Sequence, residues 1–191
     1  MDIKKYIYDS IDTKTKILNN KQILLNVEKI ADVIVEAYKN NKKVMTAGNG
    51  GSACDSQHIA GELVAKFFIE REGLNAISLV NYISSLTATS NDYGYDKAFS
   101  RQIQAMGEAG DIFIGISTSG NSKNILAAIE EANKKGIITI GFVGEKRCKM
   151  DKLCDYIIKV PSKITPIIQE SHIMIGHVIC ALVEEALFGN K

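Results

Sequence analysis

Five short apolar runs constrain this chain more than anything else in it: KVMTAG (43–48), NAISLV (75–80), DIFIGIS (111–117), IITIGFVG (137–144) and YIIKV (156–160). Each has the length of a strand. Helical patterns separate most of them, at about 52–68, in DKAFSRQIQAMGEAG (96–110) and in SKNILAAIEEANKKG (122–136). Strands joined through helices predict a parallel sheet covered on both faces. The expected class is α/β, a doubly wound, flavodoxin-like five-stranded sheet flanked by helices.

The segments before and after this core are helical. Ile23, Leu24, Val27, Ile30, Ala31, Ile34, Ala37 and Tyr38 recur at helical spacing, and an earlier helix is expected around Ile3 to Leu18. Both precede the sheet, so they are expected to pack outside it, their apolar stripe serving the core or a subunit interface. Thr165-Pro166 opens a last helix, with Thr165 expected as N-cap and Pro166 at the first helical position. The chain has 191 residues, no internal repeat and two prolines, so a single domain over 1–191 is expected.

Composition removes several function classes. The net charge is +1, with both signs spread along the chain, which supplies no field for nucleic acid or a membrane surface. The four cysteines form no CxxC pair and read as reduced thiols. MDIKKYIYDSIDTKTK lacks the apolar core of a signal peptide, and no uninterrupted apolar run matches a bilayer. A cytoplasmic location is expected.

In an open parallel sheet, ligands bind beyond the carboxyl ends of the strands. The loop after the first strand is GNGGSACDSQH, where Gly48, Gly50 and Gly51 let the backbone approach a ligand and Ser52 opens a helix whose N–H groups favour an anion. Gly48-x-Gly50-x-x-Ala53 fits the loose dinucleotide fingerprint, but the second strand ends Leu79-Val80-Asn81 without the ribose-binding carboxylate, and no Lys-Ser/Thr follows the glycines. The third strand leads into Ser117-Thr118-Ser119-Gly120-Asn121-Ser122. An N-cap needs one hydroxyl, and this loop offers four, so it reads as a phosphate cradle of hydroxyls and backbone amides. Asn91 and Asp92, with Gly94 close behind, read locally as turn residues.

His58 and Glu62 stand four apart on the helix after the glycine loop, one turn apart on one face. Such a pair is half a metal site, an acid/base pair or an ordinary surface pair. In the last helix, Gln169 and His177 lie about 80° from one another around the axis, and His172 lies about 140° from His177. If one histidine joins Gln169 it is His177, and His172 is then a hydrogen-bonded structural residue.

GNGGSACDSQHIAGE, SNDYGYDKAFSRQ, GISTSGNSKN and IQESHIMIGH occur in this order. Together they resemble the sugar isomerase (SIS) domain family, and within it the phosphoheptose isomerases, over nearly the whole chain. The resemblance implies an aldose–ketose isomerase acting on sedoheptulose 7-phosphate, working as a homotetramer whose sites draw on more than one subunit. It implies zinc at His58, Glu62, Gln169 and His177, and substrate contacts from Asn49, Gly50, Gly51, Ser52, His58, Glu62, Asn91, Asp92, Ser117, Thr118, Ser119, Ser122 and Gln169. Glu62 is the expected base at carbon and His177 the proton shuttle at oxygen. The same fold also serves non-catalytic sugar-phosphate regulators and a protein that associates with the replication initiator. Such a protein could discard Glu62 and His177, which this chain retains.

Overall fold

A computed structural model describes residues 2–189. The expected domain bounds, 1–191, extend past this: residues 1, 190 and 191 lie outside the described residues. Helices α1 (Ile3–Leu18) and α2 (Lys21–Lys39) precede β1 (Val44–Gly48). Then come α3 (Gly51–Val64), β2 (Ala76–Ser78), α4 (Ile83–Tyr93), a 3₁₀ turn (Tyr95–Lys97) and α5 (Ser100–Met106). The chain continues through β3 (Ile112–Ile116), α6 (Lys123–Lys134), β4 (Ile138–Gly144), a second 3₁₀ turn (Lys149–Lys152), β5 (Tyr156–Val160) and α7 (Thr165–Phe188).

The five strands form one parallel sheet in the order β2-β1-β3-β4-β5. Alternate residues of the strands feed two separate cores. Val44, Ile112, Ile114, Ile116, Ile140 and Ile158 face α2, α3 and α7, while Met45, Ala47, Phe113 and Val143 face α5 and α6. This period-2 division is why the strands read as apolar throughout. From β1 the chain first adds β2 on one side, then crosses to place β3 on the other, so the winding reverses between β1 and β3. The crevice at such a reversal is where open α/β sheets bind ligands.

Several local expectations are corrected. Asn91 and Asp92 do not lie in a turn: they form the last turn of α4, with Gly94 at its C-cap in a positive-φ conformation. The polar run ISSLTATSNDY has weak helix propensity and buries only Thr89, so its periodicity was faint. Helix α3 ends at Val64 rather than near Phe68, because the N–H groups of Phe67, Phe68 and Ile69 are taken by the carboxylate of Glu184. Thr165 is not an N-cap. Ile164 holds that position without a side-chain bond, so Thr165 is the first helical residue and Pro166 the second.

By length and hydropathy α7 could cross a bilayer, although polar residues interrupt its apolar run. Its packing against α2 and α3 and its fully buried Glu184, paired with Arg71, make it the core helix of the domain.

Candidate active site

The loops after β1 and β3 meet at the reversal. Asn49 and Asn124 exchange amide hydrogen bonds across it, Asn49 Nδ2 donating to Asn124 Oδ1 at 2.9 Å and Asn124 Nδ2 to Asn49 Oδ1 at 2.8 Å. Tyr95 adds its hydroxyl to Asn49 Oδ1 at 2.8 Å. Gly48 is required here: a Cβ on it would fall 2.2 Å from the carbonyl oxygen of Ser52. Gly50 then caps α3, leaving the N–H groups at its start unclaimed by any capping side chain.

In the second loop, Ser122 stands at the N-cap of α6 but makes no side-chain cap bond. Its hydroxyl lies 2.9 Å from that of Ser117, and Ser117 in turn lies 3.4 Å from Ser119 Oγ. The ordinary capping role therefore does not account for Ser117 and Ser122, whereas Ser119 Oγ accepts from the Asn121 N–H at 3.2 Å. A hydroxyl both donates and accepts, so this cluster can turn its O–H groups toward an anion. Gly120 makes the turn possible, with φ 63° and a Cβ position only 2.3 Å from Cys148 Sγ. Thr118, Ser119 and Asn121 line a cavity of about 310 Å³ together with Lys146, Arg147 and Lys163.

Helices α3 and α7 bring the ionisable residues together. His58 Nε2 lies 3.2 Å from Glu62 Oε1 and 2.8 Å from His177 Nε2. Candidate ligand atoms of all three lie within 4.8 Å of one another. Two imidazoles and a carboxylate at this separation are a donor set suited to zinc. Gln169 sits beside Gly51, and its Nε2 donates to Asp55 Oδ1 at 2.6 Å. That bond orients the amide, because a carboxylate accepts only from the NH₂ side, and leaves the amide oxygen as the atom a cation or a substrate hydroxyl would use.

Asp55 had no place in the sequence reading, although it stands seven residues before Glu62 on the same helical face. It is 4% exposed, and its Oδ2 is buried with no hydrogen-bond partner among the described residues. Burial raises its pKa, opposed by the bond from Gln169 and by the nearby His58 and His177. Asp55 thus adds a buried acceptor whose negative charge interacts favourably with positive charge at His58 and His177.

The remaining candidates fall outside this cluster. Asn91 and Asp92 are exposed and bond to each other at 2.9 Å. His172 is fully buried, with Nε2 bonded to the carbonyl of Val143 at 3.2 Å, and burial pushes its pKa down to about 4.

Residues 5–144 match the SIS domain family model. A phosphoheptose isomerase of Aneurinibacillus thermoaerophilus is 57% identical over 189 residues, covering 99% of this chain and 96% of that protein. Phosphoheptose isomerase 2 of Campylobacter jejuni is 54% identical, covering 98% and 94%. Among solved structures, a phosphoheptose isomerase from Francisella tularensis superposes with a TM-score of 0.92 at 33% identity, covering 96% of each chain.

Proposed function

The chain belongs to the SIS domain family, and from that premise we propose that it is a phosphoheptose isomerase, converting sedoheptulose 7-phosphate to D-glycero-D-manno-heptose 7-phosphate for heptose and surface-polysaccharide synthesis. The observation that carries this reading is the convergence of His58 and Glu62 from α3 with His177 from α7. A non-catalytic sugar-phosphate sensor has no need of that convergence.

The reaction moves a proton from C1 to C2 and another between the two oxygens. Glu62 takes the proton from C1 of the ketose, giving an enediol, and returns a proton to C2. His177 carries the proton from the C1 hydroxyl to the C2 oxygen. Ser117, Thr118, Ser119 and Ser122 hold the phosphate, and the fixed phosphate sets the distance from C7 back to C1 and C2. Asn49, Gly50, Gly51 and Ser52 present the backbone and polar atoms of the first loop to the sugar. Asn91 and Asp92, at the end of α4, take sugar hydroxyls further along.

In this reading His58, Glu62 and His177 would hold zinc, with Gln169, its amide oriented by Asp55, as the fourth ligand. Bound there, zinc would supply a positive charge that stabilises negative charge developing on the substrate oxygens. The exposed apolar residues of α1, Ile3, Ile7, Tyr8, Ile11 and Leu18, fit burial in a homotetramer. The protein works in the cytoplasm on a free sugar phosphate and needs neither nucleic acid nor membrane. Incubation with sedoheptulose 7-phosphate, followed by NMR, tests the proposal: an aldose anomeric signal is expected, and an unchanged ketose spectrum with metal-replete protein would reject it.

A further inference from the structure

Glu62 occupies the last turn of α3, two residues before the helix ends at Val64. A last turn leaves its carbonyls without intrahelical donors and frays readily. That is a poor footing for a group that must meet a carbon-bound proton. The guanidinium of Arg71 supplies donors there, joining the N–H of Leu74 that reaches the carbonyl of Leu63. Its Nη2 donates to the carbonyl of Glu62 at 3.0 Å, and its Nη1 to those of Leu63 at 2.9 Å and Ala65 at 3.2 Å.

The same guanidinium is tied to the other catalytic helix. Arg71 Nε donates to Glu184 Oε1 at 3.0 Å, and the two side chains are 2% and 1% exposed. Glu184 also accepts from the backbone N–H groups of Phe67 at 2.8 Å, Phe68 at 2.6 Å and Ile69 at 2.9 Å. It lies seven residues beyond His177 on α7, two turns along the same face. The segment it grips carries Phe67, whose ring centroid stands 5.7 Å from that of His177.

Resting on the isomerase reading above, we propose that Arg71 and Glu184 form a positioning clamp for the reacting pair. Arg71 holds the backbone of Glu62, and Glu184 sets Phe67 against the His177 ring. A buried ion pair is seldom the most stable filling for its space. Its use here follows from geometry: one planar fork addresses three carbonyls at a helix end and one carboxylate at once. Small displacements of acid/base groups cost rate rather than binding.

The test uses full-length protein and two variants. Arg71→Lys keeps the charge but cannot span the carbonyls. Phe67→Leu leaves the clamp and removes the ring. With sedoheptulose 7-phosphate, kcat should fall about 10-fold or more in each, with KM within about 3-fold of wild type. In Arg71→Lys the carboxylate of Glu184 loses the guanidinium that fixes the oxygen gripping the Phe67 N–H, so the NMR signals of the His177 ring should move toward those in Phe67→Leu, where the ring itself is gone. Unmoved His177 signals in folded Arg71→Lys would overturn the clamp, as would a kcat loss that only tracks the unfolded fraction. The NMR comparison decides the clamp even if wild type fails to turn over this sugar, an outcome that would reject the isomerase reading instead.

Discussion

The Nε2 atoms of His58 and His177 lie 2.8 Å apart, although 119 residues separate them in the chain. Two ring nitrogens at this distance share one proton or one cation between them, since two N–H groups cannot face each other. Glu62 stands 3.2 Å from the same His58 nitrogen. Zinc at this point would link α3 to α7. Protein purified without added metal should carry zinc that a chelator removes, and His58→Ala should retain less than about a tenth of it. His58 is half exposed, so the variant should fold. Equal zinc content in wild type and His58→Ala would remove His58 from the ligand set.

Glu62 is assigned the removal of the C1 proton and the return of a proton to C2, beside its place among the zinc ligands. Glu62→Gln keeps the shape and loses the base. Isomerisation should drop by about 10³-fold or more, while the ketose phosphate still binds. Retention of turnover within about 10-fold would assign the base elsewhere. Calorimetry with the substrate separates this from loss of binding.

The serine loop is assigned to the phosphate. Ser122→Ala removes the hydroxyl facing Ser117 without removing an N-cap bond, since none is made. KM should rise by about 10-fold, with kcat changed less. The stability of the free protein should move little. A large fall in unfolding midpoint with unchanged KM would return Ser122 to a structural role.

Much of this fold was legible because strands buried on both faces cannot hide their apolar runs. YIIKV matched β5 at both ends, and Ile3 to Leu18 matched α1. Helix α4 was not legible, because its Ser, Thr and Asn residues leave an amphipathic stripe of one buried residue. The end of α3 was hidden for another reason: it is set by Glu184, more than a hundred residues away, capturing backbone donors. At the site, helical angles separated His177 from His172 because α7 is one uninterrupted α-helix across both. The same count applied to α3 would have placed Asp55 on the face of Glu62. No local pattern in the sequence distinguishes that acid from a surface carboxylate, and only its burial under Gln169 does.

His172 provides a pH test apart from catalysis. Its Nε2–H donates to the carbonyl of Val143, so Nδ1 carries no proton, and Nδ1 is buried without a partner among the described residues. A proton added there would be a buried charge with nothing to receive it, which is why burial lowers the pKa from 6.5 to about 4. The unfolded chain therefore binds more protons than the folded one between those values. Stability contributed by neutral His172 is fully present above about pH 6.5 and is lost as pH falls toward 4; below that both states are protonated and no more is lost. The loss over the window is of order 3 kcal/mol. Urea unfolding of wild type between pH 7 and 4.5 should show this decline, and His172→Gln, less stable at pH 7, should show a shallower one. Parallel pH profiles in the two proteins would mean that His172 is not the group responsible.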